Sequence, residues 1–270
     1  MIRKAENLSF VQMKKNDGNI KTDLPTNTYR NWKANVLTLY PEMFPGSLNF
    51  GVIGNALKRG IWSLEIIDIK KFAIGKHKNV DERPIGGGPG MILRSDVIDN
   101  TLNSIRENES KNHPLIYLTP KGNRLSQELV ERFSKTDGVT ILCGRFGGID
   151  ERVITHYNPI EISVGDFILS GAEIAAQALI DSTVRLLPGT LGNTKSTNDE
   201  SFSRHLLEHP QYTKPNIWKG FKVPDILFSG DHQAIKSWRF DQSKIITKER
   251  RSDLWKKFLN SDIRAPKGDK

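Results

Sequence analysis

The sequence predicts an α/β protein built on a mostly parallel sheet. Short β-branched or apolar runs alternate along the chain with segments of helical period. Two of the runs, Val139–Leu142 and Ile160–Ser163, empty into glycine turns, GRFGG and SVGDFILSGAE. Strand ends that open into glycine loops are where such folds hold flat ligands, because glycine lets backbone N–H and C=O groups come close. The turns also carry Arg145, Asp150, Glu151, Arg152 and Asp166, more charge than a chain reversal needs.

Residues 1–32 are polar, without a sustained period, and read as a mobile extension. A sheet domain is expected over 33–190. Asn35–Tyr40 reads as its first strand, stopped by Pro41. Leu48–Lys58 has helical spacing and a C-cap signal at Gly60. Trp62–Ile69 alternates as a strand, and Lys70–Arg94 is a long glycine-rich loop containing PIGGGPGM. Ser95–Glu107 reads as a helix capped by Ser95, and Leu115–Leu118 as a buried strand ending in TPKG. Leu125–Phe133 is helical, Val139–Cys143 and Ile160–Val164 are strands, and Glu173–Leu187 is the last helix, closed by Pro188-Gly189. Residues 191–206 read as a flexible linker and 207–270 as a small helical domain. Its clearest helices are Asp231–Phe240 and Asp253–Leu259, each opened by an Asp cap.

The net charge of +9 is unevenly placed. Residues 33–204 hold 20 Lys+Arg against 20 Asp+Glu, while residues 205–270 hold 14 against 8. Basic charge beside Trp218, Trp238 and Trp255 suits a phosphate backbone with stacking, and a solvated helical face is the plainer reading. No apolar run approaches the ~20 residues that span a bilayer, and the N-terminus lacks a secretory signal. The single cysteine, Cys143, excludes an intrachain disulfide and fits a reducing cytoplasm.

Standard nucleotide motifs are missing: there is no P-loop and no Rossmann fingerprint. His205 and His209 could share a helix face, but Pro210 follows and no third ligand is near, so no metal site is expected. Cys143 reads as a buried, inert thiol. Asp150-Glu151-Arg152 reads either as part of a site or as the cap and salt bridge of a short helix. Arg185, ending an apolar helix, is a dipole partner or points into a site. Asp199-Glu200, on composition alone, is a solvated pair in a linker.

Together, PEMF (41–44), DERPIGGGPGM (81–91), YLTPKG (117–122), CGRFGGIDERVI (143–154), SVGDFILSGAE (163–173), DESF (199–202), EHPQYTKP (208–215) and VPDILFSGDHQAIKSWR (223–239) resemble the bacterial tRNA (guanine-N1)-methyltransferases. The segments occur in family order across about residues 34–260. The resemblance implies a SPOUT-class AdoMet-binding catalytic domain over 33–190 with a deep trefoil knot, an exception to the rule that chains do not thread. It implies a cytoplasmic homodimer with active sites shared between subunits, and a C-terminal domain that grips tRNA. The target is N1 of guanosine 37, next to the anticodon.

Carried over by position, S-adenosyl-L-methionine (AdoMet) would contact Tyr117, Leu118 and Pro120 after one strand. After the next it would contact Gly144, Phe146 and Gly148. The third group is Val164, Gly165, Phe167, Leu169 and Gly171. Arg185 falls on the arginine that acts on the guanine. Glu200 falls on the aspartate proposed as general base, with Asp199 beside it as a second candidate; Mg2+ is a candidate auxiliary ion. Three departures stand out: Glu200 for aspartate, Gly147 for a functional glutamate, and Ala172 and Ala175 for a glycine and a proline. Two rival readings are a SPOUT ribose 2′-O-methyltransferase and a tRNA-binding homologue with impaired catalysis. The EHPQYTKP and SGDHQAIKSWR segments speak against the first, and Gly147 is the support for the second.

Overall fold

The computed structural model describes residues 31–76, 78–106, 110, 112–192 and 200–261. Residues 1–30 of the expected extension, and 193–199 of the expected linker with Asp199, lie outside the described residues.

Five strands form the central sheet: β1 (Trp32–Thr38), β2 (Trp62–Asp68), β5 (Leu115–Arg124), β6 (Gly138–Cys143) and β7 (Ile160–Ser163). Their order is β2-β1-β6-β5-β7, and every neighbouring pair is parallel. β3 (Asp81–Glu82) and β4 (Ile92–Leu93) form a small antiparallel pair closed by PIGGGPGM, so the expected open loop is a hairpin with a long tip. β1 begins three residues before the expected Asn35, at Trp32, whose indole donates to Phe133 O at 3.1 Å.

Side chains alternate across the sheet with the period of two that a pleated strand imposes. Val36, Ile116, Leu118, Ile141 and Cys143 enter one apolar cluster. Leu37, Tyr117 and Leu142 enter the other. Helices α1 (Gly51–Lys58), α3 (Gln127–Ser134) and α5 (Glu173–Val184) cover the first face. Helices α2 (Ser95–Arg106) and α4 (Glu151–Tyr157) cover the second. The expected Leu48–Lys58 helix is divided: a 3-10 turn over Gly46–Asn49 precedes α1, and extended Phe50 (φ −117°, ψ 166°) separates them.

Beyond the sheet, β8 (Ile217–Trp218) and β9 (Phe221–Lys222) make a two-stranded hairpin, and α6 (His232–Arg250) packs on α7 (Ser252–Asn260). Asp231 caps α6 as expected, accepting from the amides of Gln233 and Ala234. Asp253 does not cap α7: Arg251 holds the N-cap position, and Asp253 sits in the first turn, paired with Arg251 at 2.6 Å. His205 and His209 do not share a helix face; His205 adopts φ +57° in an irregular segment.

Candidate active site

The glycine turns meet at the carboxyl ends of β5, β6 and β7, where open parallel sheets hold ligands. β5 is interrupted there. Leu118 and Asn123 both pair with Ile162, so Thr119–Gly122 bulges out of the ladder. Gly122 permits this: a Cβ at that position would overlap the backbone nitrogen of Ile162. The bulge lifts Pro120 and Lys121 over a cavity of about 360 Å³, within the range of small-molecule sites.

All eleven residues assigned to AdoMet by resemblance line this cavity. Tyr117, Leu118 and Pro120 come from β5 and its bulge; Gly144, Phe146 and Gly148 from the turn after β6. Val164, Gly165, Phe167, Leu169 and Gly171 come from the turn after β7. Ala172 and Ala175, at the start of α5, complete the wall. Phe146 adopts φ +57°, a conformation uncommon outside glycine, and its ring is exposed. Tyr117 lies beneath Gly144 and Gly148, and burial pushes its phenol up.

Ionic groups on the lining include Glu151 and Glu161, which contributes from β7. Arg145 also reaches the lining, but its guanidinium turns inward to the fully buried Glu173. Lys121, Ser163 and Ser170 add polar atoms. Sequence reasoning singled out neither Glu161 nor Glu173; a charged residue within an apolar strand or at an apolar helix start was the available signal.

Asp150 caps α4 through the amide of Arg152 and pairs with the Arg152 side chain at 2.7 Å, the local role weighed from sequence. The Arg152 guanidinium holds the Asp150 carboxyl below its ordinary value. Cys143 is fully buried, and burial raises its thiol well above the ordinary value, as an inert core cysteine requires. Among the described residues no group of three or more His, Cys, Asp or Glu side chains could hold a metal ion. No described helix is long and apolar enough to cross a membrane.

Arg185 and Glu200 come together, but away from the cavity. Arg185 donates to both carboxylate oxygens of Glu200, at 2.8 and 2.6 Å. Each holds the other charged: the hydrogen-bonded Arg185 lowers the Glu200 carboxyl, and Glu200 raises the Arg185 guanidinium. Burial raises Asp181, one turn back. Neither Arg185 nor Glu200 lines the cavity. α5 starts at the cavity wall and Arg185 caps its far end, twelve residues on from Glu173. At 1.5 Å per residue the separation along the helix is about 18 Å.

Gly147 gives its amide to Met91 O at 2.8 Å, tying the turn to the PIGGGPGM hairpin. A Cβ there would stand 3.0 Å from that same oxygen, so the turn has little room for a side chain. In the basic C-terminal region Trp218 and Phe221 are exposed on the β8–β9 hairpin, with Lys219 4.9 Å above the Trp218 ring. The other two tryptophans are partly buried: Trp238 lies near Tyr212 and Trp255 stacks on Phe258.

The family model for tRNA (Guanine-1)-methyltransferase TrmD matches residues 32–257. The chain is 56% identical over 224 residues to the tRNA (guanine-N(1)-)-methyltransferase of Ruegeria sp. (strain TM1040), covering 83% of this chain and 92% of that one. It is 52% identical over 226 residues to the protein of that name from Ruegeria pomeroyi, covering 84% and 93%. The Pelagibacter ubique protein of that name is 50% identical over 227 residues, covering 84% and 98%. The chain belongs to the tRNA (guanine-1)-methyltransferase family.

Proposed function

We propose that this chain transfers the methyl group of AdoMet to N1 of guanosine 37 in tRNA. The observation that carries the reading is the convergence of three turns on one cavity whose lining contains every residue assigned to the methyl donor. The lining fits that donor. Glycine turns leave backbone groups within reach, Leu118, Val164 and Leu169 supply apolar wall, and Glu151 and Glu161 supply negative charge facing a cationic ligand. When bound, AdoMet supplies a methyl group already activated by its sulfonium, so no protein nucleophile is needed.

The remaining task falls to protein groups. Guanine N1 carries a proton, and methylation there needs a base within about 2.6–3.2 Å. As N1 loses its proton, charge grows on O6, where a guanidinium is suited to hold it. Arg185 and Glu200 form such a set and hydrogen-bond to one another. The guanine edge offers the same pattern, with O6 accepting and N1–H donating. In our reading guanine enters the pair, O6 takes a hydrogen bond from Arg185, and the N1 proton passes to Glu200. Moving Arg185 towards O6 also removes the main influence that lowers the Glu200 carboxyl, which strengthens the base as it is needed. Asp199 is the alternative base if the linker shifts by one residue.

The distance along α5 supports a shared site. Arg185 and Glu200 serve the cavity of a second copy, and that copy's pair serves this one, in a two-fold dimer. The division into a sheet domain, a linker and a tRNA-binding C-terminal domain belongs to the same reading, as do the trefoil knot, the cytoplasmic setting and Mg2+ as an auxiliary ion. The exposed Trp218 and Phe221 rings beside Lys219 and Lys222 support contact with unstacked bases and phosphates.

The test is methyl transfer from labelled AdoMet to unmodified tRNA transcripts bearing guanosines at positions 36 and 37, with the product nucleoside identified by mass spectrometry. 1-Methylguanosine that disappears when guanosine 37 becomes adenosine is the expected result. A 2′-O-methylated product would overturn it. Binding of both AdoMet and tRNA without product would favour the non-catalytic reading that rests on Gly147.

A further inference from the structure

We propose that Arg145 is a positioning residue that locks the turn after β7 onto the turn after β6, setting the shape of the cavity between them. The inference rests on that cavity being the AdoMet site.

Arg145 makes contacts in several directions. Its backbone pairs with Gly171 in an isolated antiparallel bridge. Its Nη1 donates to Ser170 O at 3.2 Å. Its Nε donates to Glu173 Oε1 at 3.1 Å, and Nη2 lies 2.9 Å from Oε2, a charge contact without hydrogen-bond alignment. Nη2 also reaches Met43 Sδ at 3.5 Å, and the guanidinium lies 4.3 Å from the Tyr40 ring centroid. Glu173, which takes a further hydrogen bond from Thr38 Oγ1 at 2.8 Å, is fully buried. A cation held this way is not offered to a ligand in the cavity. It acts on the ligand through the two turns it joins.

Gly171 shows how closely the parts fit. A Cβ there would overlap Arg145 Nε and the carbon beside it. The residues flanking the clasp, Gly144 and Phe146 on one turn and Leu169 and Ala172 on the other, are cavity walls. The amide of Ala172 also donates to Gly144 O at 3.2 Å, so the second turn is tied at two points. Lysine keeps the charge at position 145 but lacks the planar fork that meets Glu173 and Ser170 O together.

The experiment measures AdoMet affinity by calorimetry, tRNA affinity by filter binding, Tm, and the KM and kcat for AdoMet. The proteins are the wild-type chain, Arg145→Lys, Arg145→Ala, Gly171→Ala and the double variant Arg145→Ala with Gly171→Ala. Misplaced walls should weaken AdoMet binding of Arg145→Lys about 10-fold or more, with KM rising in step. The kcat at saturating AdoMet should stay within about twofold and tRNA affinity should hold. Gly171→Ala should lose AdoMet binding, and the double variant should bind no worse than Arg145→Ala, because the obstacle to the new methyl is gone. Three results would overturn the proposal: unchanged AdoMet affinity in folded Arg145→Lys, parallel loss of AdoMet and tRNA binding, or additive losses in the double variant. Failure of the wild-type chain to bind AdoMet would instead remove the reading beneath it.

Discussion

The two ends of α5 differ in what they complete within one chain. At its start the helix closes a cavity assembled from three strand ends, with backbone ties that join the turns after β6 and β7. At its far end Arg185 meets Glu200, two charges that occupy each other and do not line that cavity. The contrast separates the labour of the proposed reaction. In that reading, holding the methyl donor is a property of one chain's sheet. In the dimer proposed above, preparing the acceptor uses charges borrowed across a subunit boundary.

The most severe way to break this contrast is at the far end. Glu200→Ala should lower single-turnover methyl transfer by about 10²–10⁴-fold, the range for loss of a general base, while AdoMet affinity measured by calorimetry stays unchanged. Arg185→Ala should cost about 10²–10³-fold by the same assay. If the pair serves a partner's cavity, mixing Glu200→Ala subunits with subunits unable to bind AdoMet should restore activity at one of the two sites. At the cavity end, Gly122→Ala forces a methyl against the backbone of β7 and should destabilise the fold by about 3 kcal/mol, read by denaturant titration. Replacing Lys256 and Lys257, both exposed on α7, with glutamine should reduce the salt slope of tRNA binding by about 1–2, read across a salt series.

The smallest effect is in pH. The folded Glu200 carboxyl lies below its ordinary value of 4.5, so its pairing with Arg185 contributes stability above that pH. The contribution is lost as pH falls through the lowered value. The Tm of the wild-type chain should therefore exceed that of Glu200→Gln by about 1–2 °C at pH 7, with the gap closing in acid.

The central strands were legible because β1, β5 and β6 carry apolar runs buried on both faces, the edge strand β2 because it alternates, and the glycine turns because glycine marks its own geometry. Other parts depend on partners far along the chain. The apolar run of β5 ends at Leu118; the strand's return to the ladder at Asn123 depends on β7, some 40 residues later. The inward turn of Arg145 depends on Glu173, and no spacing rule joins residues 28 apart. Asp253 has the right residue type for a cap, but the N-cap lies two residues earlier at Arg251, and Asp253 pairs with it from the first turn. For Arg185 and Glu200, composition gave two unremarkable charges. Family resemblance singled them out, and the fold brings them within hydrogen-bonding distance of each other.

Cys143 has a practical consequence. The only thiol in the chain sits at the end of the strand beside β5, fully covered by the apolar cluster, with its proton held tightly. A reagent that needs a solvent-exposed thiolate can reach it only when β6 leaves the sheet. Its labelling rate therefore times the opening of the cavity's own foundation, and cysteines placed elsewhere on the surface can be tagged against a silent background.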